Sequence, residues 1–374
     1  MTESNTQPVA AVIKLSDLGW GEQVLYVMCN RCGRSFLVPS DLNSRECPYC
    51  RNGNLDLYEG QDFSNLQSHI RPPEMQIPFN YPIEKLFEGL QTFAKEVPYA
   101  PEDLTAENLR NRLRMVYIPM WLVDGQVSAT WQADCGFHYQ AKSHEESFNS
   151  GRWNTRDVIE TRTRWEPRLG KLTRTYQNMA APGLNDHRKL MERLGGYNYS
   201  QSVRTDWKAL ISNKPQPAPV VLVPERDKED AWPDTLPRFQ EEATSETRQA
   251  AAADQIRDFR WKPTFTDQNW TLFLLPVWSS FYLDDDNVRQ VLLVNGQSGQ
   301  ANGPRRASMK TAKQKSLTLL IAALVVLALT VGAGLLSMVV PPLLLLAGIG
   351  LVLVLILALA AIHPILTVGR VNRE

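Results

Sequence analysis

Three spacings of apolar residues divide the chain into regions that fold by different rules. Between Ile83 and Lys95 the apolar positions Ile83, Leu86, Phe87, Leu90 and Phe93 recur at three- and four-residue steps, which predicts an amphipathic helix, and Thr105 to Met115 predicts a shorter one led by a threonine cap. Alternation then takes over. VYIPMW at 116–121 and FLLPVW at 273–278 both place an apolar run before Pro, one residue and Trp. Leu122 to Trp131 alternates after the first; after the second come a strand, an acidic turn at Asp284 to Asn287, Val288 to Val294 and an Asn295-Gly296 turn. The echo suggests two related β-hairpins from separated parts of one β-rich domain, although a repeat this short also arises by chance. Val158 to Arg164 and Leu172 to Tyr176, flanking Pro167 to Gly170, predict a further hairpin. The third regime is uniform: from Ser316 to Pro364, 49 consecutive residues include no Asp, Glu, Lys or Arg.

A helix needs about 20 apolar residues to cross roughly 30 Å of hydrocarbon, so this run is long enough for two spans. Pro341 and Pro342 divide it into Leu317 to Val340 and Leu343 to Ile362, because a proline at the start of a helix gives up no bond the helix would have made. The alternative, a hairpin buried in a large soluble core, would normally carry a polar stripe, and none is visible. Arg305, Arg306, Lys310, Lys313 and Lys315 precede the first span and Arg370 and Arg373 follow the second, while the turn is uncharged. By the positive-inside rule both flanks, and with them the N- and C-termini, are expected on the cytoplasmic side of a plasma (inner) membrane. His363 at the far end is the one ionisable group in the run, so the spans read as an anchor, without a proton relay or ion path.

Composition sets the remaining boundaries. Residues 1–23 read as a disordered N-terminus without a basic and then apolar leader, so no signal peptide is expected. Residues 24–54 form a cysteine-bearing module, 55–82 a linker with Pro72, Pro73 and Pro78, and 83–211 the first part of an α+β domain. Residues 212–237 read as a proline-rich exposed linker, and 238–300 as a solvated helix over Phe239 to Phe259 and a hairpin that completes the domain. Residues 301–315 are a basic juxtamembrane segment, 316–364 the transmembrane hairpin and 365–374 a cytoplasmic tail. Forty basic residues balance 40 acidic ones, which argues against a nucleic-acid protein relying on bulk positive charge. The balance is local, though: no acidic residue lies between Asp286 and Glu374, so the juxtamembrane cations either rest on an anionic leaflet of the bilayer or only signal topology.

Four of the five cysteines form two pairs, Cys29 and Cys32 in MCNRCG and Cys47 and Cys50 in ECPYCR. Two residues between thiolates let one tight turn aim both sulfurs at a tetrahedral ion, and Arg34 to Val38 with a turn at Pro39 to Ser44 suits the short hairpin between the pairs. One structural zinc ion on Cys29, Cys32, Cys47 and Cys50 is the expectation, a redox dithiol pair the alternative. Four sulfur ligands leave no open position for substrate, so such an ion folds the module and does not catalyse. Cys135 with His138 and His144 is an incomplete second set that strand alternation explains equally well. Asp284 to Asp286 either attract a cation or form a solvated turn, and Trp121, Trp131, Trp165, Trp270 and Trp278 either build an aromatic surface or, as alternation favours, the core.

No phosphate-binding loop, dinucleotide fingerprint, nucleophile elbow or H-E-x-x-H pattern occurs, and the five histidines include none beside a credible nucleophile. Neither an enzyme nor a small-molecule substrate site is expected.

The order of parts resembles a group of bacterial membrane proteins with an N-terminal zinc ribbon, a β-rich middle and a C-terminal membrane anchor. The matching residues are the CxxCG and CPYC knuckles, VYIPMWLVD at 116–124, LLPVW at 274–278 and VLLVNGQSG at 291–299. Such proteins are described as zinc-ribbon, transcription factor IIB type zinc finger, or primosomal-helicase-like ribbon proteins. Some resemble the zinc-ribbon partner of SPFH-domain (flotillin-like) proteins in an envelope-stress system that recruits a phage-shock-type protein to the membrane. The resemblance implies an α+β fold and a membrane-anchored adaptor with protein partners of these kinds. A membrane-tethered nucleic-acid-binding regulator, using Arg31, Arg34, Arg45 and Arg51 of the ribbon, is the alternative, and an enzyme of unrecognised type stands third.

Overall fold

The computed structural model describes residues 14–20, 23–42, 44–59, 63, 66, 69–206, 219–336 and 342–373. The expected disorder of 1–13, the linker at 212–218 and the end of the first span with Pro341 fall outside them. The strands are β1 (Val24–Cys29), β2 (Ser35–Pro39), β3 (Leu55–Leu57), β4 (Met75–Gln76), β5 (Arg114–Asn149), β6 (Arg152–Pro182), β7 (Val203–Arg204), β8 (Val220–Leu222), β9 (Gln255–Leu283), β10 (Arg289–Asn295) and β11 (Ala301–Asn302). The α-helices are α1 (Ile83–Glu96), α2 (Ala106–Asn111), α3 (His187–Leu194), α4 (Lys228–Ala231), α5 (Leu236–Ala250), α6 (Met309–Leu336) and α7 (Leu343–Val371). The fold is mixed α+β around a large, mainly antiparallel sheet in the order β11-β10-β9-β5-β8-β2-β1-β3.

Two compact units are present, one built from the described residues up to Ile118, Asp186–Val223 and those from Leu274 on, the other from Pro119–Asn185 and Pro224–Phe273. In the first, β1 pairs antiparallel with β2 and β3, β2 with β8, and β8 runs parallel to β5 through Val116↔Val220 and Tyr117↔Val221. Tyr26, Leu37, Tyr117, Val221 and Leu274 close over Trp20, Phe63 and Ile70 as one buried cluster. Trp20 is therefore core, its indole N–H donating to the Ile70 carbonyl at 2.5 Å, and not part of a disordered arm. Residues 55–82 are likewise not a plain linker: β3 and β4 pair within the sheet, and Tyr58 and Phe63 pack edge-on against Tyr26. Tyrosine and phenylalanine at single positions anchored this stretch without any periodicity to announce it.

Helix α1 buries Leu86, Leu90 and Phe93, as its spacing requires. Thr105 caps α2 by accepting the Asn108 N–H at 3.1 Å, but α2 ends at Asn111 because Arg114 already begins β5. The expected exposed linker at 219–237 instead holds β8, with all three residues buried, and α4. Helix α5 stops at Ala250, and Phe239, Ala243 and Thr247 are buried, so it is half-packed and not solvated throughout.

In the second unit β5 and β6 pair from Met120↔Pro182 to Asn149↔Arg152, with one irregularity between Val123 and Gly125. Leu122 to Trp131 is the middle of this one long strand and not the return of a hairpin. Val158–Arg164 and Leu172–Tyr176 likewise lie on the single strand β6, without a turn at Pro167 to Gly170. Gly170 sits opposite Trp131, and a Cβ there would lie 2.8 Å from the indole; it makes room for a ring, not for a turn. Pro167 is tolerated because β6 pairs with β5 at a margin of the sheet. The actual turn is Ser150-Gly151, with φ of 52° and 80°, a primed two-residue turn whose twist matches the strands. The β9–β10 hairpin forms as expected, in the register Leu283↔Arg289 to Val277↔Asn295.

Helices α6 and α7 form the apolar hairpin, packed so closely that a Cβ on Gly350 would clash with the Thr330 hydroxyl. Both are long and apolar enough to cross a membrane. Leu324, Leu329, Leu345 and Leu359 are 62 to 71% exposed, so this chain does not bury them in its own core, and the surface they form fits a lipid solvent. Their body-side ends are docked, not tethered. Ala307, Ala312 and Val368 pack with Leu86, Leu90, Trp278 and Leu292. Asn372 exchanges two hydrogen bonds with the Ala307 backbone, and Arg305 pairs with Glu96 at 2.8 Å. The first helix thus begins at Met309, within the predicted juxtamembrane segment, and the second continues through Pro364 to Val371, taking up most of the predicted tail.

The acidic turn serves this junction. Asp284 accepts the N–H groups of Asp286 and Val288, while Asp285 accepts the N–H of Lys310 at 2.9 Å in the first turn of α6. Burial alone would raise the Asp285 carboxyl, but hydrogen bonds from Ser308, Lys310 and Met309 outweigh it and hold it lowered. Such a group stabilises the fold above its ordinary pKa and loses that contribution as pH falls through its folded value. Asp285→Ala should therefore lower stability by roughly 0.5–1 kcal/mol at neutral pH, the low end of capping effects for an exposed carboxylate. Thermal unfolding in detergent, with the difference fading below about pH 4, checks this.

Candidate metal centre

The cysteine loops are local consequences of two left-handed residues. β1 ends at Cys29; Gly33, with φ of 71°, returns its N–H to the Cys29 carbonyl at 3.0 Å, and the Cys29 N–H bonds the Arg34 carbonyl at 2.9 Å, opening β2. Four residues beyond Cys47, Arg51 repeats the turn with φ of 58° and its N–H on the Cys47 carbonyl at 3.1 Å. In the first loop the N–H groups of Arg31 and Cys32 point at the Cys29 sulfur, in the second the Cys50 N–H at the Cys47 sulfur, each at 3.5 Å. Gly53 lets the loops meet: a Cβ there would lie 2.6 Å from the Cys29 sulfur.

The loops cross-pair. Cys29 and Cys50 sulfurs are 3.7 Å apart, those of Cys32 and Cys47 3.9 Å, and all four lie within 4.8 Å of one another. A tetrahedral ion bound at about 2.3 Å places its sulfurs about 3.8 Å apart, whereas a disulfide needs about 2 Å. The spacing fits a shared metal ion and not a pair of disulfides. Among the described residues this is the one group of three or more His, Cys, Asp or Glu side chains arranged to share an ion. Cys29 and Cys47 are buried, Cys50 is half-buried and Cys32 exposed.

Close packing of thiols decides where protons sit. The hydrogen bond from Cys47 lowers Cys32 to about 5, while that same contact and burial push Cys47 up, and burial raises Cys50. A metal must displace the protons held by Cys47 and Cys50, so affinity should fall about tenfold per pH unit for each proton displaced. Competition with a chromophoric chelator between pH 8 and 6 measures this; a pH-independent affinity would contradict thiolate ligation.

The surroundings hold residues that the sequence does not assign to the sulfur cluster, two of them arginines that it offers for nucleic acid. Arg34 stacks on Tyr49 at 4.0 Å and pairs with Asp186 at 2.6 Å, and the Tyr49 hydroxyl donates to Asp186 at 3.1 Å. Burial pushes Tyr49 up to about 12, so it stays a donor. Arg51, 1% exposed, pairs with Glu46 at 3.1 Å and donates to the Arg112 carbonyl at 3.0 Å. Burial lowers its guanidinium to about 10, still cationic at neutral pH. Arg289 pairs with Glu46 and donates to the Arg51 carbonyl, fixing the second loop to β10. One cue was legible: the second knuckle reads C-x2-C-R where the first reads C-x2-C-G, an arginine in a position that favours glycine. Of the four ribbon arginines weighed for nucleic acid, Arg34 and Arg51 are turned inward and only Arg31 and Arg45 are exposed.

Cys135 joins no such group. It is buried on β5, three residues from His138, and alternation sends the two side chains to opposite faces. His138 approaches Asp254 at 3.8 Å and His144 bonds Asp157 at 2.8 Å. Comparison of the chain with family models, curated proteins and solved structures gives no match.

Proposed function

We propose that the chain is a membrane-anchored adaptor in which one structural zinc ion shapes the cysteine module, the hairpin lies in the plasma (inner) membrane with both flanks in the cytoplasm, and the soluble surfaces bind protein partners. The observation that carries this reading is the union of anchor and metal centre in one unit: α6 and α7 are docked on the same body that holds the four sulfurs. Four thiolate donors at tetrahedral spacing suit zinc, and a saturated sulfur set has no open position for activating water. A centre of this kind stabilises a surface, and the docked hairpin holds that surface at the bilayer. Flotillin-like SPFH proteins or phage-shock-type proteins, which the motif resemblance implies, are the partners to test first.

Purification of the full-length chain from its native membrane in mild detergent, with elemental analysis and mass spectrometry of the eluate, tests the proposal. One zinc per chain with a stoichiometric protein partner is the expected result. Recovery of the chain alone would sink the adaptor reading, and co-purifying nucleic acid whose binding falls steeply with salt would favour a tethered regulator.

A further inference from the structure

We propose that the guanidiniums of Arg51, Arg112, Arg114 and Arg289 are the counter-charge of the metal-loaded tetrathiolate, so that binding the ion and seating the second cysteine loop against Phe281 are one coupled event. The inference rests on the metal reading above and adds to it a group of residues outside the ligand set.

Three of these cations surround a single ring: Arg51 lies 5.0 Å from the Phe281 centroid, and Arg112 and Arg289 each lie 4.7 Å from it. Attraction to a ring is weak, whereas like charges this close in a half-buried setting repel. Arg114 adds a fourth charge near Arg51. Two carboxylates answer them. Glu46 takes Arg51 and Arg289, and Asp103 takes Arg112 through both oxygens at 2.5 and 2.8 Å. Within this set of four arginines and two carboxylates two positive charges are left over, and a divalent ion on four thiolates carries two negative ones.

Position supports the count. Arg51 follows Cys50 directly, its N–H holds the Cys47 carbonyl, and the Cys47 sulfur acts electrostatically on its guanidinium. Its Nε and Nη1 are buried without a hydrogen-bond partner, which is unfavourable for a cation unless a negative charge lies close by. Arg51 also occupies a left-handed backbone position where the other loop uses Gly33, so a side chain is retained there despite strain. Glu46, adjacent to Cys47, and Arg289 on β10 extend the same charge pattern from the sulfurs to the sheet.

Arg289, being partly exposed, is the position to vary. Full-length protein in detergent is loaded with zinc, and Arg289→Met and Arg289→Lys are compared with the parent by chelator competition. Hydrogen exchange of β10 is followed with and without the ion. Loss of charge in Arg289→Met should weaken zinc about tenfold, and Arg289→Lys, which keeps the charge but loses the planar fork, should weaken it clearly less. Zinc should also slow exchange at Val291 to Val294. Equal weakening in both variants would make the role geometric and overturn the proposal, as would parental affinity in Arg289→Met or β10 exchange indifferent to zinc. A parent chain that binds no zinc would instead sink the metal reading itself.

Discussion

Stripping the metal, or replacing Cys47 with serine, should release β1, β2 and β3 from the sheet and raise their amide exchange by about a thousandfold, equivalent to about 4 kcal/mol of local stability. The expectation follows from how little else holds the two cysteine loops and β3, through which the ion acts on β1 and β2. β3 has three residues and pairs only through Val27↔Leu57 to Cys29↔Leu55, and the two loops carry their own turns but few apolar side chains. Structural tetrathiolate sites contribute about 10–16 kcal/mol of apparent binding energy to small modules, far more than such a hairpin supplies alone. The loss should spread one step further. Phe36↔Leu222 and Leu37↔Val221 tie β2 to β8, and Tyr26 and Leu37 share a core with Tyr117 and Val221. Exchange should therefore rise in β8 while α6 and α7 remain protected. Unchanged exchange in β1 to β3 after chelation would show that the Trp20 and Tyr26 cluster, and not an ion, maintains these strands.

How much of this was readable depended on whether a feature repeats. The cysteine spacing, the helical phase of α1 and the apolar run each repeat a simple rule, and each survives in the structure. What was lost lay in long strands and in single residues. β5 passes through Pro119 and β6 through Pro167 and Gly170, where proline and glycine ordinarily suggest turns. Pairing with a neighbour decides such cases, and neighbours are not local: Gly170 is explained only by Trp131 across the strand pair. The same holds at the metal centre, where spacing supplied the four sulfurs but not Arg289 or Phe281, more than 200 residues away in sequence. The sequence offers the acidic turn as a cation site or a solvated tip; it caps a helix because the chain returns to it at Lys310.

Removing everything after Arg306 should do two separable things: transfer the body from the membrane to the soluble fraction, and lower the stability of the unit carrying the metal centre by about 2–4 kcal/mol. The first effect follows from the loss of both apolar spans. The second follows from docking: Ala307, Ala312 and Val368 leave a cluster that includes Leu86, Leu90, Trp278 and Leu292, and the Asn372 bonds to Ala307 disappear. A charge placed on the lipid-facing surface separates the two effects. Leu324→Arg or Leu353→Arg should each cost about 2.5–3.5 kcal/mol of insertion while leaving the docked ends intact. Fractionation with alkaline extraction reads the first effect, and a near-ultraviolet melt of the solubilised protein reads the second. If the truncated body melted with the full chain, the docked ends would be passive; if it stayed with the membrane, a second contact with lipid would lie in the soluble units. The expected pairing, release together with weakening, would mean that the anchor is a working part of the fold that carries the sulfurs, so that leaving the bilayer also loosens the metal-bearing unit.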